Sequence, residues 1–123
     1  MSNGNISLMT LTVIATAAIA ANRFVTTAGA PCAAGALPLG VARSDGAIGD
    51  PIPVDTIGTA TVEAGANIAA DATIMVTTDG KALTHDADGD KHAVGRALSA
   101  AGAAGDLIEV LLTPSAGLLV TAI

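Results

Sequence analysis

Ile68-Ala69-Ala70-Asp71-Ala72-Thr73-Ile74-Met75-Val76-Thr77-Thr78-Asp79-Gly80-Lys81-Ala82 carries two signals that together decide the fold. The first is a hairpin. Two β-type runs flank Asp79-Gly80, and Asp-Gly is the pair a type I′ turn selects because both central residues need positive φ. The second is an echo. Ile19-Ala20-Ala21-Asn22 followed by Phe24-Val25-Thr26-Thr27-Ala28-Gly29 matches Ile68-Ala69-Ala70-Asp71 followed by Met75-Val76-Thr77-Thr78-Asp79-Gly80, at offsets of 49 and then 51. Further on, Gly40-Val41-Ala42-Arg43-Ser44 with Gly49-Asp50-Pro51-Ile52-Pro53-Val54 matches Gly95-Arg96-Ala97-Leu98-Ser99 with Gly105-Asp106-Leu107-Ile108-Glu109-Val110, at offsets of 55 and 56. A period near 50 residues with only two copies is too short for a solenoid. It predicts one compact β domain with a pseudo-twofold.

Working outward, the chain is a series of short β runs divided by Gly, Pro and Asp. Strands are predicted at 8–16, 23–27, 37–43, 51–57, 59–63, 73–78, 81–84, 93–98, 107–112 and 118–122. Gly58 leaves open whether 51–63 is one bulged strand or two. No segment sustains a helical apolar stripe, and Gly interrupts the Ala-rich run 99–105. The fold expected is all-β: a small β-barrel or β-sandwich with an internal repeat and extended termini. Residues 1–9 form an N-terminal arm, 10–113 a single β domain with similar halves at about 19–58 and 68–112, and 114–123 a C-terminal strand or arm.

Composition narrows the function. Ala, Gly and Thr make up 56 of the 123 residues, and Phe24 is the one aromatic. A core of such small side chains is marginal at this length, so burial is expected to be completed by self-association or docking. The formal charge is −6, and the bases Arg23, Arg43, Lys81, Lys91 and Arg96 stand singly. Without a basic patch or aromatic platform, nucleic acid is not the expected partner. The apolar stretch Leu8–Ala21 alternates Met9, Leu11, Val13 and Ala15 with Thr10, Thr12, Ile14 and Thr16, which is a strand pattern. It lacks a basic flank for a signal peptide and the length to span a bilayer.

Catalytic and cofactor motifs are absent from the sequence: no nucleophile elbow, dinucleotide fingerprint, P-loop or zinc-helix motif. Glu63 and Glu109 fall in predicted strands and are expected to face solvent. Cys32, alone, is expected to serve as a small apolar residue. Asp86, Asp88 and Asp90, between His85 and His92, resemble the start of a calcium loop, but Lys91 and Ala97 stand where an EF-hand needs Gly and Glu. A solvated turn with no required metal is the expectation. No catalytic, metal or cofactor residue is assigned.

The ordered set of motifs resembles the small capsid decoration, or cement, proteins of tailed bacteriophages. It consists of Ile19-Ala20-Ala21-Asn22-Arg23-Phe24-Val25, then Leu39-Gly40-Val41-Ala42, Ala47-Ile48-Gly49-Asp50-Pro51-Ile52-Pro53-Val54 and Gly58-Thr59-Ala60-Thr61-Val62-Glu63-Ala64-Gly65, then Val94-Gly95-Arg96-Ala97-Leu98 and Ala104–Leu112. The resemblance spans roughly residues 10–112. It implies a non-enzymatic protein made in the host cytoplasm that binds the outer surface of the icosahedral head, as a homotrimer, and stabilises contacts between major capsid protein subunits. A β-rich adhesion or carbohydrate-binding module is the alternative, disfavoured because sugar sites usually stack aromatics. The apolar ends are too hydrophobic to be left uncovered. Ile6, Leu8, Met9 and Leu11 at one end, and Leu118, Leu119, Val120 and Ile123 at the other, are therefore the candidate contacts to shell or neighbouring subunit.

Overall fold

The computed structural model describes residues 6–85 and 91–113. These residues contain eight strands and no helix: β1 (Ser7–Ile14), β2 (Phe24–Val25), β3 (Gly40–Ala42), β4 (Pro51–Glu63), β5 (Thr73–Val76), β6 (Ala82–Thr84), β7 (Gly95–Ala97) and β8 (Leu107–Leu112). All strand pairs are antiparallel, in the order β2-β3-β4-β8-β7-β5-β6, with β1 added to β4 off this path. The all-β expectation holds, and the sheet is open rather than closed into a barrel. Strands are shorter than predicted because Gly, Pro and Ala-rich loops take over at both ends of most of them. The exception is β4, one continuous strand of 13 residues through Gly58. The region predicted at 118–122 lies outside the described residues.

Register repeats along the chain. β1 pairs Thr10, Leu11, Thr12, Val13 and Ile14 with Asp55, Val54, Pro53, Ile52 and Pro51. At the same offsets of 49 and 56, β4 pairs Thr59, Ala60, Thr61, Val62 and Glu63 with Leu111, Val110, Glu109, Ile108 and Leu107. β2 on β3 corresponds in the same way to β5 on β7, with Val25 opposite Gly40 and Ile74 opposite Gly95. The loops repeat as well. The Ala15 amide donates to the Asp50 carbonyl at 2.9 Å, as Ala64 does to Asp106 at 2.8 Å. Ile19 exchanges both main-chain bonds with Gly46, as Ile68 does with Ala101. Asn22 and Asp71, the two non-glycine residues with positive φ, stand at equivalent places, at 65° and 69°. Asx residues tolerate that conformation better than other L residues do. The recurrence therefore includes β1, and β4 closes the first unit and opens the second.

Each unit buries the same set. Ala15, Ile19, Val25, Ala42, Ile52 and Val54 form one cluster, flanked by Val13 and Leu39. Their equivalents Ala64, Ile68, Ile74, Ala97, Ile108 and Val110, with Val62 and Val94, lie in the other. Val25 thus corresponds to Ile74 and not to Val76. Two extra residues sit within β5, which explains the offset of 51 across the Val-Thr-Thr echo. Phe24 breaks the symmetry. It precedes the first unit's Val25 yet packs in the second unit's cluster, and its amide donates to the Gly80 carbonyl at 2.7 Å.

The Asp79-Gly80 turn forms but is not type I′. Gly80 has φ of 79°, while Asp79 stays outside the positive-φ region. The Gly80 amide donates to the Thr77 carbonyl at 3.2 Å, and the Asp79 and Lys81 amides donate to Thr77 Oγ1 at 3.2 and 3.1 Å. The Thr77 hydroxyl satisfies the turn from inside, so one left-handed residue is enough.

Cys32 is fully buried in the larger cluster. Burial pushes its thiol from 9.0 up to about 11, since the low-polarity surroundings disfavour the thiolate. The raised value sets a sign: the contribution to stability is complete below pH 9, where thiols in both states are protonated. It is lost as pH rises from 9 toward 11, because the unfolded thiol ionises first. Native protein at pH 8 should react slowly with a thiol reagent and promptly in denaturant. The urea midpoint should fall between pH 9 and 11 by more in the parent than in Cys32→Ala. Equal falls would assign the alkaline loss to other groups.

Candidate functional site

β1 is the least covered strand. Six of its eight residues are exposed, and among the described residues it pairs only with β4. From Thr10 onward, Leu11 and Val13 point toward the core side, where Val13 packs against the smaller cluster. Thr10, Thr12 and Ile14 alternate onto the other face. Ile6, Leu8, Met9, Leu11 and Ile14 all carry substantial exposed surface, with Leu8 at 75 % and Ile14 at 57 %. The strand is held in place by polar ties to β4. Thr10 Oγ1 donates to Asp55 Oδ1 at 3.0 Å, Thr56 Oγ1 donates to the Met9 carbonyl at 3.0 Å, and the Thr59 amide donates to the Ile6 carbonyl at 2.8 Å.

Beside β1 runs a groove of about 390 Å³. Its walls include Met9 and Leu11, the loop residues Leu37 and Leu39, Ile57 of β4, and Leu112 at the end of β8. None of the described lining residues is ionisable. Nothing there converges on a polar ligand, and the groove suits aliphatic side chains. Sequence reasoning selected Met9 and Leu11 but missed Leu37 and Ile57. The signal for Ile57 was its place next to Gly58, where the two register shifts of β1 on β4 fall between Ser7 and Thr10 and turn Ile57 outward.

The predicted contacts divide. Ile6, Leu8, Met9 and Leu11 lie together along the start of β1, so residues 7–9 belong to a strand of the sheet. Leu118, Leu119, Val120 and Ile123 lie outside the described residues, as does the acidic run from Asp86 to Asp90. At the edges of that run, a ring nitrogen of His85 stands 2.9 Å from the Lys91 carbonyl and the His92 amide donates to the Gly35 carbonyl at 2.9 Å.

Charge is spent internally. Asp55 is buried and takes Arg43 Nε at 3.3 Å. Glu63 is shared by Arg23 Nε at 3.3 Å and Lys81 Nζ at 3.4 Å, tying the entry to β2 and the turn after β5 to the end of β4. Arg23, Arg43 and Lys81 are thus engaged with the protein's own carboxylates. Glu109 corrects the sequence reading. It is 7 % exposed rather than facing solvent, because β8 lies between β4 and β7. Glu63 and Glu109 are not an open carboxylate pair.

Comparisons with known proteins now bear on this surface. No curated protein matches the chain. A solved structure, the head fiber gp8.5 N base of bacteriophage phi29, is similar in fold at 23 % identity and a TM-score of 0.71, covering 85 % of this chain and 93 % of that one. A family model, described as phage cement protein, matches residues 1–112, nearly the whole sequence and every described strand. An all-β domain that exposes an apolar strand is thus a phage capsid structural protein, and the chain belongs to the phage cement protein family.

Proposed function

We propose that this cement protein binds the outside of an icosahedral phage head as a homotrimer and stabilises contacts between major capsid protein subunits, with β1 as a principal contact. One observation carries the reading: an eight-residue apolar strand, bonded on one edge only among the described residues and exposed along its length. Such a strand is an aggregation hazard unless something covers it. The mechanism is area rather than chemistry. A standard interface buries about 1,600 Å², and an oligomer that bridges several shell subunits gains avidity because later contacts are intramolecular.

The test uses residues on β1 that the core does not hold. Leu8→Glu with Ile14→Glu should leave melting and circular dichroism unchanged, since both side chains project into solvent. Affinity for undecorated heads should fall by at least about 30-fold, the loss expected on removing a central apolar anchor worth about 2 kcal/mol. Heads decorated by the variant should also lose heat resistance relative to heads carrying the parent. Unchanged affinity would remove β1 from the head interface. Native mass measurement of free protein and three-dimensional imaging of decorated heads report the copy number, and single copies on the particle would reject the trimer.

A further inference from the structure

The groove beside β1 and the edge of that strand left unpaired among the described residues call for an apolar, strand-forming occupant, and the repeated register indicates which one. β4 ends the first unit and, passing Gly58, runs straight on as the first strand of the second. β8 ends the second unit at the equivalent place: at the offset of 56, Thr56 and Ile57 correspond to Leu112 and Thr113, and Gly58 to Pro114. Past Pro114 the chain continues as Ser115-Ala116-Gly117-Leu118-Leu119-Val120-Thr121-Ala122-Ile123. Like β1, Ser7-Leu8-Met9-Thr10-Leu11-Thr12-Val13-Ile14, it opens with Ser, carries no charged side chain and is rich in Leu, Val, Ile and Thr. Proline at the joint favours an extended residue before it. The segment therefore has the sequence of a unit's first strand, and such a strand needs an edge to pair with. β1 of a second copy offers that edge.

We propose that residues 115–123 of one copy add as a strand to the free edge of β1 in a second copy. Alternate members of Leu118, Leu119, Val120 and Ile123 enter the groove formed by Met9, Leu11, Leu37, Ile57 and Leu112. Main-chain hydrogen bonds hold such an added strand and the pockets fix its register. Each copy gives one segment and receives one, and in the proposed homotrimer the contact is head-to-tail and closes as a ring. The inference rests on the self-association in the proposed function and gives that association its contact.

Two singly substituted, differently tagged chains test it: Leu11→Cys in one, and Leu118→Cys, Leu119→Cys or Val120→Cys in the other. They are mixed and oxidised, free at high concentration and on heads, with buried Cys32 left in place. At least one pairing should give covalent dimers joining the two tags, at about tenfold the yield of a control pairing with exposed Arg96→Cys, because an ordered contact raises the effective concentration of the two thiols. A chain carrying both cysteines that closes only on itself would show the segment folding back on its own groove, and would overturn the proposal. So would the absence of mixed dimers from every pairing in both settings. Should that happen while Leu8→Glu with Ile14→Glu still weakens head binding as expected, the strand exchange fails and the head-binding reading stands.

Discussion

Phe24→Ala should destabilise the domain by about 3–5 kcal/mol, the range for removing a fully buried aromatic side chain. Against a total of roughly 5–15 kcal/mol for a natural domain, that brings the protein to the edge of unfolding. The upper part of the range is expected here. Phe24 is the one aromatic in the sequence, and its neighbours in the cluster are mostly Ala, Val and Ile, too short to swing into the space it leaves. The residue also has a connecting role. It belongs by register to the first unit but packs in the second unit's core, so its loss weakens the join as well as the packing. Urea unfolding should show a lower midpoint. A second, shallower transition would show the units coming apart in sequence. A loss below about 1.5 kcal/mol, the cost of a tolerated volume-conserving swap, would mean that the cluster repacks around the gap.

Gly58→Val should cost about 3 kcal/mol or more, from two sources that add. At φ of 111° a β-branched residue is strained by roughly 1–3 kcal/mol. A Cβ at this position would also overlap the Ile6 carbonyl oxygen, the atom that accepts the Thr59 amide and starts β1 on β4. The overlap is with main chain, so it is relieved only by moving the beginning of β1 away. Hydrogen exchange should therefore accelerate first in β1, while β8, on the far part of β4, keeps its protection. Head affinity should fall with it. Uniform acceleration across β1 and β8 would mean that Gly58 supports the whole sheet and not the seating of one strand.

Much of this fold is written locally. Alternation along Met9–Val13 and along Ile52–Val62 announces strands, because side chains on a pleated backbone point to opposite faces in turn. Asn22 and Asp71 mark equivalent left-handed positions, and the Gly49-Asp50 and Gly105-Asp106 pairs mark equivalent loop ends. Such residues are chosen by the conformation of one or two peptide units. The sequence by itself thus determined the strand class, most turn positions, the offsets of 49 and 55–56 that the hydrogen bonds later followed, and the family resemblance. The tertiary structure alone decided which of these elements meet. Glu109 reads as a surface strand residue until β8 is placed between β4 and β7. Asp55 is tolerable in a core because partners such as Arg43 and Thr10 converge on it. Phe24 has no local signal that sends it into the other unit. Leu37 and Ile57 join Met9, Leu11 and Leu112 in one groove although they are scattered over more than one hundred residues of sequence. Each of these depends on register between distant segments, which is settled by the burial and hydrogen bonding of the whole sheet and not by any short window of the chain.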